Sequence, residues 1–378
     1  MSERIEIPQS ACLAGVHSSD ITPPVGIYHR MWGAATHDRS EGISMPLRQT
    51  TLALAPLDSS DGPLHAFVAV DHCLLWPREM QTLLESVEES TGLPQDQVTL
   101  FFSHTHAAGL MGSERAELDG GELIAPYLKW LASDIAMSIN AAVSRLQPAS
   151  IVYGTGRCDL ARNRDYLDPA TDSYVCGYNP HGEADDSVIV GRVVAETSPT
   201  PLAILVNYAC HPTTLAWGNR LVSPDYIGGL RTVIESETKA PLFFIQGASG
   251  DIGPRESYVG EPEVAFRNGR QLGFAALAAL ETLPAPGNSF EYTGAVVSGA
   301  TLGTWKWSGM NSSRVDEVQT WTEQRPTVEL GYRADLPDKE ELLRDRIKFK
   351  EAEQEALAQN NEVATRDARA MGERMTRR

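Results

Sequence analysis

The chain has 378 residues, 42% hydrophobic and 22% charged, with a formal net charge of −18. That is an ordinary globular balance, enough for a sizeable core in one large domain or two of average size. So acidic a surface repels phosphate backbones and argues against nucleic acid as a partner.

The N-terminal MSERIEIPQSACLAG lacks a basic segment followed by a long apolar stretch, so it does not read as a secretory signal. No apolar run approaches the ~20 residues of a membrane span. The expectation is a cytoplasmic protein with no integral membrane contact; homo-oligomerisation is left open. The five cysteines, Cys12, Cys73, Cys158, Cys176 and Cys210, lack CxxC spacing and read as buried free thiols. The loop YHRMWGAATHDRSEG carries His29 and His37, for which a surface or capping role is expected. His17, His65 and His181 read as surface residues. Strands are expected at TLALAPL and at AFVAVDHCLL, which delivers Asp71 and His72. PREMQTLLESVEESTG is an amphipathic helix closed by Gly92. VTLFFSHTH is a strand, APYLKWLASDIAMSINAAVSRL a longer helix and SIVYGTG a strand. The polar cluster Arg162, Asn163 and Arg164 follows and suits a carboxylate or a carbonyl.

PLAILVNYACH is a strand ending on His211. SPDYIGGLRTVIESE is a helix, with Ser223 as N-cap and Pro224 and Asp225 in its first turn. PLFFIQGASGD is a strand and AFRNGRQLGFAALAALETL a helix. Several strand runs are apolar at nearly every position, which suits strands covered on both faces. Strands alternating with helices indicate a layered α/β sandwich of mixed β-sheets flanked by helices. Residues 1–334 form that domain. Residues 335–378 form a highly charged helical segment expected to pack weakly or lie at the surface.

Three strand ends carry the chemistry. In Ser103-His104-Thr105-His106 the period of two along a strand points both imidazoles the same way, if the strand continues through them. Converging imidazoles suit Zn²⁺, which binds histidine nitrogen at about 2.0–2.1 Å. His211, held extended by Pro212, offers a third nitrogen. In Gln246 to Arg255, Gly250 sits in a turn whose amides suit an anion or a developing oxyanion, and Asp251 suits the orientation of a ligand histidine. A plain strand-to-helix turn explains that segment as well. Ser249 is no nucleophile elbow, because G-x-S-x-G fails at Asp251. His72, Asp225 and Tyr226 are candidates for lining the same mouth.

The ordered motifs AGVHSSDITPPVG, VDHCLL, SHTHAAG, RNRDY, NYACHPTTL, SPDYIGG and QGASGDIGPR resemble the neutral/alkaline non-lysosomal ceramidase family, and in particular its bacterial ceramidase-like members. The resemblance implies that His104 and His211 bind zinc and that His106 faces the substrate. Two departures stand out. The family's GDVSPN-like hexapeptide carries a serine where this chain has Gly253. The family's further glutamate and tyrosine ligands have no match here, Glu329 and Tyr332 included, which leaves Asp71, His72, Asp225 or water to complete the set. The resemblance implies a zinc-dependent hydrolase of a small-molecule amide, ester or lactone using activated water. His106 and Asp251 would serve it, with Arg164 as a further catalytic residue. The alternative is a degenerate relative that binds a metal or polar ligand without turnover. A soluble polar substrate suits the composition better than a long-chain lipid.

Overall fold

The computed structural model describes residues 3–57, 64–198, 200–332 and 334–376. Its centre is one eight-stranded sheet. The strands are β1 (Gln9–Asp20), β2 (Arg48–Ala55), β3 (His65–Val70), β4 (Val98–Phe102), β5 (Gln147–Arg157), β6 (Ser187–Ala195), β7 (Pro201–Tyr208) and β8 (Leu242–Gln246). They lie in the order β8-β7-β6-β5-β1-β2-β3-β4. The outermost pairs, β3/β4 and β7/β8, are parallel and every other pair is antiparallel, so the sheet is mixed as expected.

Alternation along the strands separates two apolar faces. Ala66, Val68 and Val70 of β3 pack against helices α1 (Pro77–Thr91) and α2 (Ile124–Val143), through Leu83, Val87, Leu131 and Ile135. Val206 of β7, with Leu242 and Phe244 of β8, packs against α3 (Tyr226–Thr238) and α4 (Pro262–Leu280). Phe67, Phe101 and Phe243 face the other way and share a third cluster with Leu52 and Ile151. Phe101 on one edge strand and Phe243 on the other have ring centroids 6.0 Å apart. The sheet thus curls until its two edges meet over an apolar interior, with helices outside. Each aliphatic side chain fully buried there contributes about 1.5–3 kcal/mol. Helices α3 and α4 cross closely: a Cβ on Gly269 would lie 1.9 Å from the Tyr226 carbonyl oxygen, so no larger residue fits.

The C-terminal segment differs from the single surface helix expected. It forms a hairpin of α5 (Lys339–Ala358) and α6 (Glu362–Thr376). Arg369 pairs with both carboxylate oxygens of Asp38, at 2.6 and 2.7 Å. A Cβ on Gly33 would lie 2.8 Å from that of Ala370. The Arg369–Asp38 ion pair in this contact is one that apolar periodicity could not reveal. No described helix is long and apolar enough to cross a membrane.

Candidate functional site

Strand β4 stops at Phe102, two residues before the first histidine. His104 adopts left-handed backbone, φ 65°, and its amide donates to the His72 carbonyl at 2.9 Å. The same-face argument therefore does not apply, and a kink sets the ring directions instead. Such a conformation is costly for a non-glycine residue and persists only when its surroundings fix it. His106 is tied back by its amide to the Pro212 carbonyl, and His211 by its amide to the Ile252 carbonyl at 3.0 Å. The folding of the sheet brings these segments, from strands near opposite edges, to one point.

There the three rings form a near-regular triangle. Centroids are 5.0 Å apart for His104 and His106, 4.7 Å for His104 and His211, and 5.0 Å for His106 and His211. Imidazoles bonded to a single ion at about 2.0–2.1 Å have centroids on the order of 5 Å apart. The hydrogen bonds select tautomers. His104 Nδ1 lies 2.9 Å from the Cys73 carbonyl and His211 Nδ1 3.1 Å from the Ser249 carbonyl, so each Nδ1–H donates and each Nε2 keeps its lone pair. A backbone carbonyl behind each ring is how ligand histidines are commonly held. His106 Nε2 stands 3.1 Å from His211 Nε2. Burial first, then the Arg164 guanidinium, holds His211 down to about 4, which keeps it neutral. Ligand atoms of Cys73, His104 and His106 also lie within 4.8 Å of one another.

Arg164 reaches the same cleft. Its Nε and Nη2 donate to the Gly250 carbonyl at 3.0 and 2.7 Å, which fixes the guanidinium beside His211. The Gly250 carbonyl is thus the acceptor that holds Arg164 in place. Asp251 is exposed, and the Ser249 carbonyl has the orienting role expected of it. Asn163 orders the neighbouring turn, with its side-chain oxygen accepting from the Asp165 amide at 3.0 Å and from Asn179 Nδ2 at 3.3 Å.

Other candidates sit behind the wall. His72 is fully buried, with Nε2 in a 2.5 Å hydrogen bond to the Tyr127 hydroxyl, so no substrate reaches it. Asp71 pairs with Arg231 at 2.7 Å. Asp225, not Ser223, is the N-cap of α3 and accepts from the amides of Leu215 and Tyr226 at 2.8 and 2.6 Å. Buried Tyr226 donates to the Cys210 carbonyl at 2.6 Å. Asp71, Asp225 and Tyr226 are committed to these partners, whereas His72 Nδ1 is buried with no hydrogen-bond partner among the described residues. His29 and His37 are also buried, joined Nδ1 to Nε2 at 3.0 Å, contrary to the surface role expected. His65 is buried too, 3.0 Å from Thr99 Oγ1.

The cleft, ≈ 330 Å³, is lined by His106, Arg164, His211, Trp32, Trp217 and Tyr258, with Cys176 and Thr213. Sequence reasoning missed the three aromatic residues. A signal was present: both tryptophans precede a glycine within a turn, Trp32-Gly33 and Trp217-Gly218, where a large apolar ring has little reason to be.

The family model described as neutral/alkaline non-lysosomal ceramidase, N-terminal, matches residues 12–255. The chain belongs to that family. Solved structures similar to it include a ceramidase complexed with C2, at 19% identity and TM-score 0.59, covering 73% of this chain and 44% of that one. Neutral ceramidase from Pseudomonas aeruginosa is similar at 18% identity and TM-score 0.58, covering 73% and 45%. These likenesses bear on the fold, and this chain spans less than half the length of either. The ceramidase match contains His104, His106, Arg164, His211 and Gly253. Gly253 is buried beside the histidines, and a Cβ there would sit 3.6 Å from Thr213 Oγ1 and 3.9 Å from His211 Cβ, in ordinary contact. Space for a Cβ therefore exists at this position.

Proposed function

We propose that this chain is a zinc-dependent hydrolase acting on an amide, or on a related ester or lactone, with water as the nucleophile. One observation carries the reading: His104 and His211 have their Nδ1 atoms pinned on backbone carbonyls while their rings stand 4.7 Å apart. Two imidazoles so oriented suit a divalent cation. His104 and His211 would hold it, with water completing the coordination. Asp71 and Asp225, considered from the sequence as completing ligands, are engaged elsewhere, and His72 is fully buried against Tyr127. When bound, the ion supplies Lewis acidity and lowers the pKa of a water molecule to about 7.

The chain's own residues supply the rest. His106, at the cleft wall, takes a proton from the attacking water and returns it to the leaving nitrogen or oxygen. The water oxygen bonds to the carbonyl carbon as the carbon–nitrogen or carbon–oxygen bond breaks. Arg164, fixed by Gly250, faces the developing negative charge. Gly253 leaves no hydroxyl to attack in place of water.

The test uses protein purified without chelator and a panel of amides, esters and lactones. Turnover should be lost on chelation, restored by zinc, and reduced about a hundredfold by Arg164→Ala with zinc content unchanged. Stoichiometric zinc with no turnover on any substrate would favour the second reading, a binding protein without catalysis, which the glycine at position 253 motivates.

A further inference from the structure

We propose that the mouth of this site clamps an uncharged six-membered ring of its ligand between Trp217 and Tyr258, with Trp32 closing the third side. The proposal deepens the hydrolase reading by naming the substrate class: amides whose acyl or amine part carries an aryl or pyranosyl ring next to the scissile bond.

Three ring geometries carry it. Trp217 and Tyr258 are nearly parallel, 15° between planes, with centroids 6.4 Å apart. The gap between the two planes is therefore at most 6.4 Å, short of the ~7 Å that a group touching both faces needs. Trp217, 46% exposed on a turn, must swing outward by at least about 0.6 Å to admit the ring. Trp32 stands across both, at 77° to Trp217 and 88° to Tyr258, with centroids 6.1 and 5.8 Å away. Trp32 also contacts His106, centroids 5.2 Å apart, so a ring held in the clamp places its substituent over the histidines.

Tyr258 is held at φ 60°, with its amide donating to the Thr213 carbonyl at 3.0 Å and its hydroxyl 3.0 Å from Cys176 Sγ. Non-glycine residues kept in that region cluster where a ligand is bound. The charge of the mouth excludes a cation: Arg164 lines it, and no acidic residue does among those described. A linear alkyl chain loses rotamer freedom when held between two faces, a loss that a rigid ring largely avoids. The ≈ 330 Å³ of the cleft lies at the small end of ligand sites, which suits one ring and one amide group.

The test reads binding, so it stands apart from turnover. Chelator-treated protein is titrated by ligand-observed NMR with acetanilide, N-acetylglucosamine and N-hexylacetamide. One ring amide should bind at least about tenfold more tightly than the linear amide, and the winner distinguishes an aryl from a pyranosyl ligand. Trp217→Ala should weaken that ring amide about tenfold and leave the linear one unchanged, while Trp217→Phe restores most of the affinity. The proposal is overturned if the linear amide binds as tightly as both rings, if neither ring binds, or if folded Trp217→Ala binds like wild type. Absence of turnover on every amide would refute the hydrolase reading and leave this result intact.

Discussion

Replacing His29 with glutamine tests how the loop beneath the site is held. His29 Nε2 lies 3.1 Å from the carbonyl of Ala107, the residue after His106, and His29 Nδ1 faces His37 Nε2 at 3.0 Å. Burial, then repulsion from His37, depresses the His29 pKa to about 4. The folded protein therefore keeps this ring neutral where the unfolded chain, titrating near ~6.5, takes up a proton. The folded value is the lower one, so His29 costs nothing above about pH 6.5 and destabilises the fold progressively as pH falls toward 4. The full displacement corresponds to about 3 kcal/mol, of which about 2 kcal/mol is lost by pH 5. Urea unfolding of chelator-treated wild type and His29→Gln, near pH 7.5 and near pH 5, isolates that term. The variant starts less stable, having lost a hydrogen bond of about 1 kcal/mol. Its further loss on acidification should be smaller than that of wild type by about 2 kcal/mol. Equal losses in the two proteins would show that His29 titrates normally and would refute the burial argument.

Gly253→Ser should keep its unfolding midpoint within about 2 °C of wild type, because a Cβ there makes only ordinary contacts; a drop of more than about 5 °C would mean that the space is filled. Gly33→Leu should wedge α6 away from the loop it covers, since even a Cβ would stand 2.8 Å from Ala370 Cβ. Hydrogen exchange should then lose protection across residues 362–376 and in the Asp38 loop, whereas unchanged protection would show that the hairpin is held some other way.

The layers of the fold were legible because apolar strand runs and amphipathic helices report burial directly. β7 follows its apolar run but ends at Tyr208, three residues before His211, and Gly92, at φ 72°, closes α1 where the sequence stops it. What the strands do beyond pairing was not legible. Nothing in VTLFF or PLFFIQ says that the two edges of one sheet curl together, yet that curl brings the histidines to one place. His104 joins the cluster by a geometry other than the expected one: the strand ends early and a left-handed residue turns the ring. His72, Asp225 and Tyr226 lie close in sequence to the site segments, but burial commits their polar atoms to Tyr127, to the start of α3 and to Cys210. Asp251 failed for the opposite reason, exposure, because a backbone carbonyl, invisible to residue-type reasoning, does its work.

The direct test of the central claim is an anomalous difference map at the zinc edge, from crystals of protein purified without chelator. A peak shared by the rings of residues 104 and 211, at about 2.0–2.1 Å from an Nε2 atom of each, is the predicted result. An ordered triad of imidazoles with no anomalous density between them would contradict it.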